Sequence, residues 1–377
     1  MTQRAGFAES TTENSPSLWG ARAAVAERAV VARHVRRVWG LPGTRLGVAG
    51  WPQSVNNRLH GHWNYWWQAH LLDCLVDAQE RQPSRTRAGM IARVVRGIHL
   101  RNLGSWTNDY YDDIAWLGLA LMRANDCERV PVVAAMNRIA ARLRSGWTDH
   151  GGGGIWWRRE DDFKNVPANG PAAILFARWA SRGGERQDRQ RARSMTEWMS
   201  QVLVDPGTGL LWDGVYVRPD GSIRDIVKVT YTYCQGVYIG ACVELARGDR
   251  SGVWVERAAR TINAVAAHLN DELVVRGRGG GDGGLFAGIL TRYLAQAALR
   301  LPSPAADVAR ALVMGSAGAA WRNRALAPSG PLFGPEWSKP ARVPRSPAHR
   351  RVERDLSVQL SGWMVLEAAA LLERSPG

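Results

Sequence analysis

The chain has 377 residues, of which 45% are hydrophobic and 22% charged, a composition typical of folded proteins and unlike that of disordered chains. Nothing approaches the roughly 18 unbroken apolar residues of a membrane helix, so no membrane span is expected. Lys and Arg total 49 against 34 Asp and Glu, a formal charge of +15. Because nearly all the bases are arginines scattered along the whole chain, this charge does not predict a nucleic-acid partner.

The first 16 residues are predicted to form a disordered or extended tail, and residues 17–377 a single domain. The N-terminal segment lacks the apolar core of a secretory signal. The four cysteines show no CxxC spacing and lie in apolar stretches, which favours reduced thiols over disulfides or a zinc site. We therefore expect no metal or other cofactor and a cytoplasmic location, and we expect a monomer.

Hydrophobic periodicity and capping residues divide the chain into about twelve helices. The predicted spans are 17–38, 63–80, 84–101, 109–124, 128–145, 169–182, 185–203, 231–247, 252–270, 285–300, 304–325 and 355–373. Counted in the order of these twelve spans, the first, third and every second one after that are amphipathic and heavily charged. The second, fourth and every second one after that are apolar on nearly every side. The stretch 114–122 carries no charge at all, for example, and 356–372 carries only Glu367.

This alternation predicts a two-layer architecture. A helix that is apolar all round must be covered all round, whereas an amphipathic helix can face water. An open solenoid of helix pairs would also alternate, but it should show a regular repeat. Since the six pairs are unequal and no repeat is visible, the prediction is an all-α (α/α)6 toroid of six inner and six outer helices.

Three segments between the helices are predicted to be irregular or extended. Residues 209–229 predict a small β-hairpin with its turn at 219–221. Residues 151–154 and 277–284 are rich in glycine, and the second segment contains a formal GxGxxG motif. Because that motif needs a βαβ unit around it, we interpret this segment as a loop. Long loops at one rim of a helical ring are where a functional site would be built.

The most informative segment is TNDYYDDIAWLGLALMR at 107–123, where an inner helix begins. Asp109, Asp112, Asp113 and Trp116 are spaced to share one helical face. Carboxylates this close repel one another, so one is expected to stay protonated while its neighbour is ionised. Glycoside hydrolysis uses such a pair, one as nucleophile or base and the other as proton donor. The same acids could instead decorate a helix N-terminus, and Trp116 could be an ordinary core residue.

Aromatic and amide side chains recur at the starts of the other inner helices. Flat rings beside polar groups suit a sugar, whose ring faces are apolar and whose edges carry hydroxyls. The candidate sugar platforms are Trp67, Trp156, Trp157 and Trp337. The candidate partners for sugar hydroxyl groups are Gln68, Asp109, Asn165, Asn169, Tyr231 and Gln235. Any one of these residues could instead pack a loop or cap a helix.

Taken together, these motifs resemble glycoside hydrolase family 76, the endo-α-1,6-mannanases. The resemblance is carried, in order, by YWWQAHLLDCLVDA (65–78), YYDDIAWLGLALMRA (110–124), GGGIWWRR (152–159), KNVPANGPAAILFARWA (164–180), TYTYCQGVYIGACVELAR (230–247), GLFAGILTRYLAQ (284–296) and DLSVQLSGWMVLEAAALL (355–372). One position departs from the family pattern, since Cys234 stands where the family's TYNQG motif usually has Asn.

The resemblance implies an (α/α)6 barrel that cleaves α-1,6-linked mannan or manno-oligosaccharides with retention, through a covalent intermediate and without a metal. Carried over by position, Asp112 would be the nucleophile and Asp113 the general acid/base. Retaining enzymes hold the two carboxyl groups about 5–5.5 Å apart, which neighbouring side chains can reach. Two alternatives stay open: another sugar enzyme on the same ring, such as an epimerase or an unsaturated-uronide hydrolase, and a mannan-binding or scaffold protein that has lost turnover.

Overall fold

The computed structural model describes residues 17–128, 130–348 and 351–375, so the predicted tail at 1–16 lies outside the described residues. Within these ranges the chain is mostly helical. The helices are α1 Leu18–His34, α2 Val55–Arg58, α3 Tyr65–Arg81, α4 Arg85–Arg101, α5 Tyr111–Glu128, α6 Val133–Arg144, α7 Val166–Trp179, α8 Asp188–Val202, α9 Thr232–Ala246, α10 Val253–His268, α11 Gly283–Ala298, α12 Ala305–Arg322 and α13 Leu356–Arg374. Apart from the short α2, each corresponds to a predicted helix.

Six helices form an inner ring, and six others cover it from outside. The inner helices are α3, α5, α7, α9, α11 and α13; each packs against the next, and α13 packs against α3 to close the ring. Nearly every residue of α7 and α13 is buried, whereas α6 and α8 bury one face only. Burial therefore follows the distribution of apolar residues around each helix, and the predicted (α/α)6 toroid is confirmed.

Several helix ends differ from the prediction by three to five residues, and for two of them the local reason is clear. α1 stops at His34 because the chain turns into strand β1 (Val35–Arg36), which pairs with β2 (Leu46–Gly47). α7 begins three residues earlier than predicted, at Val166. The Asn165 side chain accepts a hydrogen bond from the Ala168 N–H at 3.1 Å and so caps the helix.

Short antiparallel strands lie in the loops between helices. β3 (Phe163–Asn165), β4 (Gly214–Val217) and β5 (Ile223–Val227) form a three-stranded sheet in the order β3-β4-β5. β4 and β5 are the predicted hairpin, and Gly221 in its turn has the left-handed φ of 86° that glycine tolerates. β3 was not predicted, because three residues are too few to show an alternating pattern. The remaining pairs are β6 (Asn270–Asp271) with β7 (Val274–Val275), and β8 (Ala325–Ala327) with β9 (Gly330–Leu332).

The GxGxxG segment has no βαβ unit around it, since every strand pair in the described ranges is antiparallel. Gly279 and Gly281 adopt left-handed φ angles of 73° and 59° in a loop, and α11 starts directly after it at Gly283. The interpretation as a loop is confirmed for residues 277–282, whereas Gly283 and Gly284 belong to α11.

Across the described part of the chain, no helix combines the length and apolar character that crossing a membrane requires. The four cysteines are free thiols: Cys74, Cys234 and Cys242 are buried, and Cys127 is half-buried.

Candidate active site

A cavity of about 310 Å³ lies where the N-terminal ends of the inner helices meet the loops of the same rim. Its walls combine aromatic rings with three carboxylates. The lining residues are Trp66, Asp112, Trp116, Trp157, Phe163, Asn165, Pro167, Asp213, Tyr231, Tyr233, Asp282 and Phe286. They come from five of the six inner helices and from the loops before them, which is why no single segment of sequence displays the whole site.

Asp112 lies in the first turn of α5 and lines the cavity. Its Oδ1 accepts a hydrogen bond from the Asp113 backbone N–H at 2.8 Å, and its Oδ2 accepts one from the Trp157 indole at 3.0 Å. Burial raises the pKa of Asp112 to about 6, although both hydrogen bonds favour the ionised form. The carboxylate is thus held in place by two donors and exchanges its proton near neutrality.

Asp113, the next residue, is in a different electrostatic state. The Asn108 side-chain amide donates to its Oδ2 at 2.6 Å. Burial, together with the adjacent charge of Asp112, raises the pKa of Asp113 well above the ordinary value. Asp113 therefore keeps its proton at a pH at which Asp112 has lost its own, and the pair offers one carboxylate and one carboxylic acid.

Two further carboxylates in the cavity were missed in the sequence. Asp213 directly precedes β4, and one of its oxygens is buried without a hydrogen-bond partner. Burial and the charge of Asp112 raise the pKa of Asp213 to about 7. Asp282 directly precedes α11 and accepts hydrogen bonds from the indoles of Trp66 at 3.0 Å and Trp67 at 2.9 Å. Their positions in the sequence could have indicated them, because each is an acidic residue directly before a strand or helix that begins at the rim.

The apolar wall beside these acids is a cluster of rings. Tyr233 and Phe286 stack with centroids 4.1 Å apart and an interplanar angle of 21°. Tyr231 meets Phe286 edge-on at 5.3 Å. Trp66 lies 6.4 Å from both Tyr233 and Phe286. The cavity thus has flat faces next to hydrogen-bonding edges, which is the pattern expected of a sugar site.

Of the four predicted sugar platforms, only Trp157 lines the cavity. Trp67 is buried, and its indole N–H donates a hydrogen bond to Asp282. Its neighbour Trp66 lines the cavity instead, since successive residues of a helix point about 100° apart. Trp116 could have been an ordinary core residue. It is only 5% exposed, yet it also lines the cavity.

Trp156 and Trp337 do not line this cavity, so their positions give no support to the prediction that they are sugar platforms. The ring of Trp156 packs under the ammonium group of Lys164, whose Nζ lies 4.5 Å from the ring centre. Trp337 is buried, and its carbonyl accepts a hydrogen bond from the Asn323 amide at 2.8 Å. Both rings support loops of the rim.

Gln68, Asn169 and Gln235 are completely buried and are not available to a sugar. Each amide donates to and accepts from the backbone of one residue outside its own helix, as a neighbouring strand would. The pairs are Gln68 with Gly47 (2.8 and 3.0 Å), Asn169 with Ile155 (2.8 and 3.0 Å), Gln235 with Leu211 (2.8 and 2.9 Å) and, unpredicted, Gln359 with Phe333 (3.1 and 2.9 Å). We call these four side chains the amide clamps. These amides recur at the starts of inner helices because they attach other segments of the chain to those helices.

Replacing an amide clamp should therefore cost stability and leave substrate affinity unchanged. Gln235→Leu leaves the backbone N–H and C=O of Leu211 without partners, for an expected loss of about 2–4 kcal/mol in the free energy of unfolding. Denaturant titration measures the stability, and KM should stay within about twofold of the wild-type value. A large rise in KM at unchanged stability would restore the sugar-contact interpretation.

Asp109 does not share a face with Asp112, because it precedes the first residue of α5. Its side chain is 67% exposed and lies 3.4 Å from the Arg159 guanidinium. Its carbonyl accepts a hydrogen bond from the Arg159 N–H. Asp109 does not line the cavity, so its position gives no support to the predicted sugar contact, whereas Asn165 and Tyr231 do line the cavity.

Cys234, the position that departs from the TYNQG pattern, is fully buried and does not line the cavity. Burial raises the pKa of this thiol well above its ordinary value. The position at which the family pattern has Asn is therefore occupied here by a neutral, buried thiol, next to Tyr233 in the chain.

Lys164 organises the glycine-rich loop below Trp156 and Trp157. Its side chain is completely buried. Five acceptors lie 2.7–2.9 Å from its Nζ and share its three N–H donors: the carbonyls of Thr148, His150, Gly153 and Gly154 and the Thr148 hydroxyl. All four glycines from 151 to 154 have φ between 65° and 127°, so the loop can curl around the cation. This cage fixes the segment that carries the indole bonded to Asp112.

An (α/α)6 toroid whose rim holds paired carboxylates and a wall of aromatic rings has the construction of a carbohydrate-active enzyme. The sequence model of glycosyl hydrolase family 76 matches residues 26–375. The chain belongs to this family, as its motifs suggested.

Related proteins of known structure or name agree with this assignment. An α-1,6-mannanase from a Salegentibacter species is 31% identical, with a TM-score of 0.82, over 94% of this chain and 99% of that one. A variant of that enzyme, described as inactive, has two consecutive aspartates changed to asparagine and was solved with α-1,6-mannotriose. Mannan endo-1,6-alpha-mannosidase DCW1 of Candida glabrata is 27% identical over 56% of this chain, which spans 51% of the yeast protein's length.

Proposed function

We propose that this protein hydrolyses α-1,6-mannosidic linkages in mannan or manno-oligosaccharides, with retention of configuration. The observation that carries the proposal is the pair Asp112 and Asp113, one held as a carboxylate beside the cavity and the other kept protonated. The names and bound ligand of the related proteins support the choice of α-1,6-linked mannosides.

In the first step, a carboxylate oxygen of Asp112 attacks the anomeric carbon of the bound mannosyl residue. The bond to the glycosidic oxygen breaks, and the Asp113 proton goes to that departing oxygen. The products are a glycosyl ester on Asp112 and a free alcohol. The hydrogen bonds from Trp157 and from the Asp113 N–H hold the nucleophile in position, which lowers the entropic cost of reaching the transition state.

In the second step, the ionised Asp113 takes a proton from water, and the water oxygen attacks the anomeric carbon of the ester. Asp112 leaves as a carboxylate and Asp113 is again protonated, so the pair returns to its starting state. Two displacements on the same carbon give overall retention.

The remaining polar groups are suited to binding hydroxyls. The unpartnered oxygen of Asp213 can accept a hydrogen bond from a sugar hydroxyl, and Tyr231 offers a phenol at the same wall. A cavity of about 310 Å³ is near the lower limit for ligand sites, so it suits a short stretch of sugar units.

Product analysis on linear α-1,6-mannan tests the proposal. The expected result is release of manno-oligosaccharides or mannose whose first-formed anomer, followed by NMR, is α. A β-anomer as first product would replace retention with inversion. Saturable binding without any cleavage would favour the scaffold alternative, and inertness towards α-1,6-mannan would contradict the proposed substrate.

The pKa values predict a bell-shaped pH dependence of kcat/KM. Activity should fall below about pH 6, because Asp112 gains a proton and stops being a nucleophile. It should fall again at higher pH, where Asp113 loses the proton it must donate. Initial rates from pH 4 to 10 on a soluble oligosaccharide measure both limbs. A rate that stays constant down to pH 4 would contradict the assignment of the nucleophile.

We also propose a cytoplasmic location and a monomeric state, which rest on the expectations from the sequence. Cell fractionation and light scattering of the purified chain measure them directly.

A further inference from the structure

A second pocket, of about 390 Å³, lies at the opposite end of the toroid, beside the C-terminal ends of α7 and α9. α7 has 14 residues, so this end is roughly 20 Å from the acidic cavity. The charged residues that line it are Arg178, Arg182, Arg186, Arg189, Arg247 and Glu244. We call it the arginine pocket.

Glu244 is the single acidic residue in this lining, and three arginines surround its carboxylate. It is 4% exposed and lies 2.8 Å from Arg178, 2.8 Å from Arg300 and 3.4 Å from Arg247. Although burial acts in the opposite direction, Arg178 and Arg300 bring the pKa of Glu244 down to about 2. One carboxylate charge therefore faces three guanidinium groups.

The other arginines have only partial compensation. Arg182 pairs with Asp126 at 3.1 Å, at the edge of the pocket. Arg189 donates to the carbonyl oxygens of Leu245 and Arg247, and Arg186 is exposed. The C-terminal ends of two helices contribute about half a negative charge each. That is less than the surplus of guanidinium groups, so the pocket stays positive.

From this geometry we infer that the arginine pocket binds a phosphate group. Guanidinium groups present planar pairs of N–H donors that match phosphate oxygens, and converging arginines recognise phosphate better than scattered ones. Arg182 and Arg247 are the side chains best placed to reach a ligand, since their side chains are 36% and 62% exposed. Arg178 is held by Glu244 and Gln296 and forms the floor. The phosphate can belong to a free anion or to a lipid headgroup.

Calorimetric titration of the full chain with inorganic pyrophosphate tests the first source. Sedimentation with vesicles containing phosphatidylglycerol, against vesicles of phosphatidylcholine alone, tests the second. In whichever arm the wild type binds, Arg182→Gln and Arg247→Gln should each weaken binding by about tenfold, the value of one charge-assisted hydrogen bond. Hydrolysis at the distant cavity should be unchanged in both variants, which shows that they remain folded.

The matched control is Arg138→Gln, the same charge change at an exposed position of α6. It should leave binding within about twofold of the wild type. If all three variants weaken binding equally, the effect is one of net charge and the pocket is not the site. The absence of saturable binding to both pyrophosphate and the anionic vesicles would also overturn the inference.

Discussion

Asp112→Asn should reduce turnover of α-1,6-mannan by about 10⁴-fold or more while leaving oligosaccharide affinity nearly unchanged. The amide has the size of the carboxyl group but cannot form the glycosyl ester, and loss of a catalytic nucleophile has effects of this size. Binding of α-1,6-mannotriose, followed by calorimetry, separates loss of chemistry from loss of the site. A variant that keeps more than about a tenth of wild-type turnover would exclude Asp112 as nucleophile.

Asp113→Asn should be distinguishable from Asp112→Asn by the choice of leaving group. On mannan, loss of the general acid should cost about 10²–10⁴-fold. A dinitrophenyl mannoside departs without protonation, so Asp113→Asn should still release a burst of dinitrophenolate, whereas Asp112→Asn should release none. Reversed behaviour of the two variants would exchange their roles.

Asp109→Asn is the matched control for both substitutions. It makes the same chemical change two residues before α5, at a side chain that is 67% exposed and paired with Arg159. An exposed ion pair of this kind contributes little, and Asp109 does not line the cavity. Its kcat/KM should therefore stay within about threefold of the wild-type value.

The largest expected loss of stability follows from Lys164→Met. Methionine fills much of the same volume but leaves the carbonyls of the 148–154 loop without their shared donor. A buried carbonyl left without a donor costs about 1–3 kcal/mol, so the loss of one donor shared by several carbonyls should lower the free energy of unfolding by about 3 kcal/mol or more. Because the same loop leads to Trp157, kcat should fall as well. Denaturant titration with circular dichroism measures the stability.

Lys339→Met controls for removal of a lysine. Its side chain is 72% exposed and makes one ion pair, with Glu336. The expected change is below about 1 kcal/mol. Equal midpoints for Lys164→Met and the wild type would show that the cage around Lys164 contributes nothing to stability.

The proposed catalytic pair, Asp112 and Asp113, was accessible from the sequence because its members are neighbours in the chain. Asp112 and Asp113 open an inner helix whose next nine residues, 114–122, carry no charge, so both the acids and their position at a rim could be predicted. Asp213 and Asp282 are about 100 and 170 residues away from them along the chain. Only closure of the ring brings them next to Asp112, so no local pattern could assign them to its site.

The amide clamps show where reasoning from residue type failed. Gln68, Asn169 and Gln235 have the chemistry of sugar contacts and occur at the correct end of the inner helices. Their donors and acceptors are nevertheless fully used by loop backbone. Which of two possible partners an amide takes depends on what lies within about 3 Å of it, and that distance is set by packing between distant segments.

The sequence by itself determined the twelve long helices, their alternating inner and outer character and the end of the ring at which acids and aromatic rings collect. It could do so because burial on every side or on one side is already present in the spacing of apolar residues along each helix. The tertiary structure alone decided which of the candidate side chains share one cavity: Trp66 rather than Trp67, and Asp213 and Asp282 beside Asp112. Those choices depend on the rotation of each helix and the path of each loop, which result from contacts among all six inner helices at once.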